Sequence, residues 1–104
     1  MQQISPQALQ QLLSMTRPIV VDVREDWEYA QAHLPGSLHI PMGQIPARFG
    51  ELDAAQPVVL VCHHGMRSLQ AGQFLEKKGF AQVSNLAGGI DAWAEQVDSS
   101  MPRY

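Results

Sequence analysis

The residue of this sequence best suited to covalent chemistry is its only cysteine, Cys62, which follows an apolar run over residues 57–61. A short run that is rich in β-branched residues predicts a buried strand, and this strand would end at the thiol. Gly65 and Arg67 come three and five positions later, and a helical stretch begins near Ser68. In open α/β sheets, ligands bind at turns that lead from a strand into a helix. The spacing therefore predicts a reactive thiol rather than a small core residue.

Three features of this turn favour the thiolate, which is the nucleophilic form of cysteine. The backbone N–H groups of residues 63–67 can point inward as an anion-binding nest. The next helix turns the positive end of its dipole toward the turn, and Arg67 adds a permanent cation. The same groups would hold an anion bonded to the sulfur. We therefore predict that Cys62 is the catalytic nucleophile and that six residues bind the substrate: His63, His64, Gly65, Met66, Arg67 and Ser68.

The histidines of the turn raise the question of a metal site. His63 and His64 are adjacent in the chain, so their side chains are expected to project in different directions. No second cysteine supplies the paired spacing of a structural zinc site. We therefore predict no metal ligands and expect both histidines to line the mouth of the loop, where they tune the choice of substrate near neutral pH. Gly88 and Gly89 lack the remaining glycine of a dinucleotide fingerprint, so no cofactor is predicted.

Apolar runs and helical spacings alternate along the chain. Strands are predicted over residues 2–4, 19–23, 37–40, 57–61 and 81–86, and helices over residues 6–15, 25–33, 44–52 and 68–78 and around residues 88–93. This alternation favours an α/β fold in which helices cover both faces of a parallel sheet. We find no repeat and no domain boundary, so residues 1–104 are predicted to form one domain with a loose polar tail at residues 98–104.

Composition limits the classes of protein to which the chain can belong. Of its 104 residues 45% are hydrophobic and 16% are charged, and the net charge is −3. This balance argues against a nucleic-acid interface, which is normally basic. One cysteine cannot form an internal disulfide, so nothing indicates an oxidising compartment. Residues 1–13 lack the basic and apolar regions of a signal peptide, and no apolar run has membrane length, so a cytoplasmic protein is expected.

Four blocks of the sequence resemble the single-domain rhodanese-like sulfurtransferases. They occur in the family's order and together extend from about residue 4 to residue 93. The blocks are residues 21–25 with Glu28, residues 33–41, the loop Cys62-x-x-Gly65-x-Arg67-Ser68, and residues 85–93.

The resemblance implies a rhodanese-like fold, with a central parallel sheet of about five strands. The strand that ends at Cys62 would be central and would lie beside the strand that ends at Asp22. The resemblance also implies a sulfurtransferase, in which Cys62 takes a sulfane sulfur from a donor such as thiosulfate and carries it as a persulfide. The partners would be a small anionic donor and a thiophilic acceptor, which is cyanide, a thiol or a protein.

Other functions stay open. Thiosulfate-specific members of the family carry more basic residues just after the cysteine, where this chain has His63 and His64, so the physiological donor is not fixed. A persulfide carrier or partner-binding module without turnover is one alternative. A cysteine-dependent phosphatase or arsenate reductase is the weaker alternative, because its loop places five residues between cysteine and arginine, whereas four lie between Cys62 and Arg67.

Charged residues also gather at the carboxyl end of the strand predicted over residues 19–23. Asp22 and Arg24 lie there, and Glu28 and His33 follow. These groups could bind substrate, or they could pair locally and fix the loops. We predict local pairing, because the resemblance places this block beside the site without giving it the chemistry.

Overall fold

The computed structural model describes residues 1–104 and contains five strands and five α-helices. The strands are β1 (Gln2–Ile4), β2 (Ile19–Asp22), β3 (Leu38–His39), β4 (Val58–Val61) and β5 (Val83–Leu86). The helices are α1 (Pro6–Met15), α2 (Asp26–Gln31), α3 (Ile45–Arg48), α4 (Met66–Lys77) and α5 (Gly89–Gln96), with short 3₁₀ turns at Met42–Gln44 and Phe49–Glu51. None of the helices combines the length and the apolarity that crossing a bilayer requires.

All five strands pair in parallel in the order β1-β5-β4-β2-β3, which confirms the predicted α/β fold. Strand β4 is central and lies between β5 and β2, with Leu60 opposite Val21 on one side and opposite Asn85 on the other. Because the carboxyl ends of parallel strands meet at one edge of the sheet, the segments that follow β2, β4 and β5 converge there.

The apolar run at β4 is explained by its burial on both faces of the sheet. Successive side chains of a strand point to opposite faces. Val58 and Leu60 pack in one core cluster with Ala71 and Leu75 of α4, and Cys62 belongs to the same cluster. On the opposite face β4 packs against residues of α1 and α5: Val59 and Val61 lie in a second cluster with Leu9, Ile90 and Trp93. Helices therefore cover both faces, as the sequence predicts.

Most elements are shorter than predicted by one to three residues, and two differences bear on the structure of the chain. Helix α4 begins at Met66 rather than near Ser68, because Gly65 adopts φ 104°, a left-handed conformation that lets the chain turn directly into the helix. The stretch 44–52 is not one helix but a single α-helical turn flanked by two 3₁₀ turns. Pro46 lacks a backbone N–H and Gly50 is a poor helix former, so this stretch does not sustain a longer α-helix.

The tail at residues 98–104 makes defined contacts, which differs from the loose tail predicted from its polar composition. Met101 is only 9% exposed and packs in the core cluster that contains Trp93. The Arg103 guanidinium pairs with Asp91 of α5, and the ring of Tyr104 lies against His63. The tail therefore returns to the edge of the sheet at which Cys62 lies.

Candidate active site

The segment from residue 62 to residue 67, here called the cysteine loop, is fixed to the start of α5. The N–H of Ile90 donates to the carbonyl oxygen of Cys62 at 2.8 Å, and the N–H of Asp91 donates to that of His63 at 3.2 Å. Gly89 makes this approach possible, since a Cβ on this residue would lie within 3.0 Å of both carbonyl oxygens. The loop thus rests directly on the backbone of a helix N-terminus.

The Cys62 sulfur accepts hydrogen bonds from within its own loop and from α4. The backbone N–H of Gly65 donates to Sγ at 3.0 Å, and the hydroxyl of Ser68 lies 3.2 Å from Sγ in a donating geometry. The residue is 1% exposed. Charge on the sulfur would be stabilised by both donors, because hydrogen bonds to a charged group are stronger than those to a neutral one. The arrangement provides part of the predicted anion nest.

Asn85 of β5 holds both groups that contact the sulfur. Its Oδ1 accepts from the hydroxyl of Ser68, and its Nδ2 donates to the carbonyl oxygen of Gly65 at 3.0 Å and to Oε1 of Gln3 at 3.2 Å. Asn85 is only 2% exposed, so these bonds are shielded from water. A hydroxyl has one proton to donate. Ser68 can therefore donate to Asn85 while Cys62 is a thiol and turn that proton toward the sulfur when a thiolate forms.

We expect Ser68→Ala to slow the reaction of Cys62 with iodoacetamide at neutral pH by about tenfold, because the thiolate loses one of its two donors. Ser68→Thr keeps a hydroxyl at this position and serves as the matched control, with a rate close to that of the wild type. The rates follow from the loss of free thiol with time. An unchanged rate in Ser68→Ala would mean that the hydroxyl contributes nothing to the reactive form of Cys62.

Arg67, at the end of the cysteine loop, forms a two-pronged ion pair with Glu28 of α2. Its Nη1 and Nη2 donate to Oε1 and Oε2 of Glu28 at 2.7 and 2.9 Å. The Arg67 guanidinium holds the pKa of Glu28 at about 2, although burial acts in the opposite direction, and the Glu28 carboxylate in turn raises the pKa of Arg67. The sequence predicts that Arg67 binds the substrate anion. In the structure its two terminal nitrogens are engaged by Glu28.

Asp22 and Arg24 form the local pair that the sequence predicts. Both are fully buried, and the Arg24 guanidinium donates to both carboxylate oxygens of Asp22 and to the carbonyl oxygen of Ala32. His33 lies outside this pair, because its Nδ1 bonds to the carbonyl oxygen of Tyr29. The pair therefore fixes the carboxyl end of β2 beside the cysteine loop.

The two histidines of the cysteine loop face one carboxylate, which differs from the divergent directions expected of adjacent residues. Their rings stack at 4.1 Å between centroids, and Nε2 of His63 and of His64 lie 4.0 and 3.7 Å from the oxygens of Asp91. Arg103 already donates to both of these oxygens, at 2.9 and 3.1 Å. This pairing with Arg103 is the main cause that lowers the pKa of Asp91. A metal ion at this position would compete with Arg103 for the oxygens of Asp91.

His63 and His64 also differ from each other in exposure. The side chain of His63 is 18% exposed and that of His64 is 67% exposed. Burial, followed by the neighbouring charge of His64, lowers the pKa of His63 below its ordinary value. Burial therefore favours the neutral ring of His63, and in that form the ring offers one N–H donor and no charge. Met66 is 69% exposed, so the outer face of the loop presents an apolar side chain as well as the His64 ring.

Four residues of the site region were not predicted to belong to it, and each comes from another part of the chain. Asn85 is one of three polar residues in the strand predicted over residues 81–86, and apart from its place in the block at residues 85–93 nothing set it apart. Glu28 was noted for local pairing and not as the partner of Arg67. Asp91 carried no signal beyond an acidic side chain in the first turn of a helix, and Tyr104 lay in the tail that was predicted to be loose.

Comparison with known proteins places this chain in a family. The model of the family "Rhodanese-like domain" matches residues 5–96. A sulfurtransferase of Allochromatium vinosum is 41% identical over 93 residues, which cover 88% of this chain and 87% of the relative. The thiosulfate sulfurtransferase GlpE of Actinobacillus pleuropneumoniae is 31% identical over 91 residues, with 88% and 84% covered. YrkF of Bacillus subtilis, named as a candidate sulfur carrier, is 35% identical over 97 residues, and the match covers 92% of this chain but only 52% of YrkF.

Solved structures agree with the sequence comparison. A rhodanese-like domain protein of Staphylococcus aureus superposes with a TM-score of 0.85 at 30% identity, and the match covers 100% of this chain and 99% of the other. The human single-domain sulfurtransferase TSTD1 superposes with a TM-score of 0.77 at 32% identity, with 92% and 97% covered. The family model spans most of the chain, and the folds agree over nearly their whole length. The chain belongs to the rhodanese-like domain family.

Proposed function

We propose that this protein is a sulfurtransferase that moves a sulfane sulfur from a small anionic donor, such as thiosulfate, to a thiophilic acceptor through a persulfide on Cys62. The observation that carries the proposal is the position of the only thiol in the chain. Its sulfur lies at the carboxyl edge of the sheet, accepts a hydrogen bond from the Gly65 N–H and lies 3.2 Å from the Ser68 hydroxyl, which can donate to it. The names of the Allochromatium and Actinobacillus relatives support sulfur transfer as the reaction class.

The first displacement forms the persulfide. The Cys62 thiolate attacks the outer sulfur of thiosulfate and forms a new S–S bond to it. The bond between the two sulfur atoms of thiosulfate breaks, and its electron pair leaves with sulfite. The backbone N–H of Gly65 is in place before the reaction, and the Ser68 hydroxyl of α4 can turn its proton from Asn85 to the sulfur. Charge that develops on sulfur is therefore stabilised by donors that the fold already positions.

The second displacement returns the free enzyme. A nucleophilic acceptor such as cyanide attacks the outer sulfur of the persulfide, and the electron pair of the S–S bond returns to Cys62 as the thiolate. The product in this case is thiocyanate. No external oxidant or reductant takes part, because the transferred sulfur keeps its oxidation state as it passes from the donor to Cys62 and from Cys62 to the acceptor. The two steps share one covalent intermediate, so ping-pong kinetics follow.

The charges around the cysteine loop bear on the choice of donor. Arg67 pairs with Glu28 and Arg103 with Asp91, while burial favours the neutral form of His63. An anionic donor therefore meets backbone N–H groups and partly neutralised cations rather than a free positive patch. This arrangement suits a singly charged or small donor as well as thiosulfate. A persulfide of a small thiol is accordingly a second donor within the same proposal.

Steady-state kinetics with thiosulfate and cyanide test the proposal. At several fixed cyanide concentrations, we expect the double-reciprocal plots against thiosulfate to be parallel, as double displacement requires. Cys62→Ser should form no thiocyanate, whereas Met15→Ala, which changes an exposed side chain of α1, should behave as the wild type. Turnover that persists in Cys62→Ser would refute the reaction. A single labelled sulfur on Cys62 without further turnover would favour the carrier function instead.

A further inference from the structure

Tyr104 of the tail is joined to the cysteine loop through its ring. The ring centroid lies 4.1 Å from that of His63, the residue that follows Cys62, and 5.5 Å from that of Trp27 in an edge-to-face arrangement. Tyr104 is 38% exposed, and Trp27 is 62% exposed. The two aromatic side chains therefore form a rim beside the first residues of the cysteine loop.

The hydroxyl of Tyr104 is joined to the other end of the same loop. It donates to Oε2 of Glu28 at 2.6 Å and accepts from Nη1 of Arg24 at 2.9 Å. Glu28 holds Arg67, which is the last residue of the loop. Burial and the hydrogen bond to Glu28 raise the pKa of Tyr104, so the hydroxyl keeps its proton at neutral pH and continues to donate. Tyr104 thus spans the distance between the two ends of the loop.

The tail that carries Tyr104 has two further anchors. Arg103 pairs with Asp91 at the start of α5, and the side chain of Met101 is buried in the core cluster that contains Trp93. The exposed Arg103–Asp91 ion pair contributes little stability by itself. It acts together with the burial of Met101 and with the two hydrogen bonds of the Tyr104 hydroxyl, and these contacts jointly hold residues 98–104. The ring of Tyr104 is consequently held against His63 at the start of the cysteine loop, although 38% of the residue stays exposed.

We propose that Tyr104 is a specificity-determining residue, which admits small sulfur donors and acceptors to Cys62 and excludes bulky ones. The proposal rests on the proposed function for its biological meaning, but the steric claim itself concerns only access to the thiol. The phenol ring lies beside His63 and its hydroxyl bonds to Glu28, the partner of Arg67, so the side chain stands next to both ends of the cysteine loop, where a large reagent approaching Cys62 would meet it. The tail sets the position of the ring through Met101 and Arg103.

Thiol reagents of two sizes test this access without any sulfur transfer, because Cys62 is the only thiol. Iodoacetamide is the small probe, and 5,5′-dithiobis(2-nitrobenzoate), an aryl disulfide, is the bulky one. We expect Tyr104→Ala to raise the rate of reaction with the aryl disulfide by about tenfold or more. The reason is that the aryl disulfide can reach the Cys62 thiol in a larger fraction of the molecules. The rate with iodoacetamide should change by less than about threefold, which makes the ratio of the two rates the quantity to measure.

Two tyrosine variants separate the ring from its hydroxyl. Tyr104→Phe keeps the ring and loses both hydrogen bonds, so its rate ratio should lie between those of the wild type and Tyr104→Ala. Tyr29→Phe loses a tyrosine hydroxyl that bonds to the carbonyl oxygen of Ser37 and should keep the wild-type ratio. Thermal unfolding of each variant checks that it is folded.

An equal acceleration of both reagents in Tyr104→Ala, or no acceleration of either, would overturn the proposal. The first result would mean a general loosening of the loop, and the second would mean that the ring is not in the path to the thiol. Both results leave sulfur transfer itself untouched. Conversely, a protein without sulfurtransferase activity could still show the predicted rate ratio, so failure of the proposal and failure of the proposed function are distinguishable.

Discussion

Replacing Gly89 by alanine is expected to lower the free energy of unfolding by about 3 kcal/mol or more and to slow the reactions of Cys62 by about 100-fold. Gly89 has φ 65°, a left-handed conformation in which the Cβ of an alanine is sterically strained whatever surrounds it. The new Cβ would also lie within 3.0 Å of the carbonyl oxygens of Cys62 and His63, which are backbone atoms and cannot turn aside. The cysteine loop would have to move, and its sulfur with it.

Gly36→Ala is the matched control for this substitution. Gly36 has φ 78°, but a Cβ there would meet no atom within 4 Å. We expect its cost to be limited to the backbone strain of about 1–2 kcal/mol, with no effect on the rate of alkylation of Cys62. Urea unfolding and iodoacetamide kinetics measure the two quantities. If Gly89→Ala and Gly36→Ala behaved alike, the contact between α5 and the cysteine loop would not determine the position of the sulfur.

Replacing Glu28 by glutamine is expected to lower the free energy of unfolding by about 2–3 kcal/mol at pH 7. Glu28 is 3% exposed, and its carboxylate accepts from Arg67, from the hydroxyl of Tyr104 and from the N–H of Glu25. Glutamine keeps the size but loses the charge and one acceptor. Glu51→Gln removes the carboxylate from the exposed pair with Arg48 and is expected to leave stability nearly unchanged.

The effect of Glu28→Gln has a defined dependence on pH. The pKa of Glu28 is lowered from an ordinary value of 4.5 to about 2 in the folded protein, chiefly by Arg67. Its stabilising contribution is therefore complete above about pH 4.5 and is lost as the pH falls toward 2. The difference in stability between the wild type and Glu28→Gln should shrink over that interval. A difference that stayed constant from pH 6 to about pH 2.5 would show that the charge of Glu28 does not stabilise the fold.

Most of the fold is determined by patterns that the sequence displays locally. The run before Cys62 is apolar because β4 is buried on both faces, and the helix after it is marked by Gly65, which takes a left-handed conformation. The prediction of a single helix over residues 44–52 was wrong, because apolar spacing alone does not register the effect of Pro46 and Gly50. Met101 was overlooked since one apolar residue in a polar tail does not form a pattern.

The site could be predicted only in its local part. The spacing of Cys62, Gly65 and Ser68 places two donors next to the sulfur, because all three residues belong to one turn and the helix that follows. The remaining contacts join residues far apart in the chain: 17 positions separate Ser68 from Asn85, 39 separate Arg67 from Glu28, and 76 separate Tyr104 from Glu28. Such partners lie on helices, strands and a tail that only the folded chain brings together, and no local pattern of the sequence pairs them.

Intact-protein mass measurement after incubation with thiosulfate tests the central claim most directly. The account predicts that the wild-type chain gains the mass of one sulfur atom, that cyanide removes it, and that Cys62→Ser gains nothing. The single thiol makes the assignment unambiguous, since no other residue of this chain can carry a persulfide. A wild-type chain that remained at its starting mass with thiosulfate and with small persulfides, or an equal gain of mass in Cys62→Ser, would contradict the role of Cys62 as the sulfur carrier.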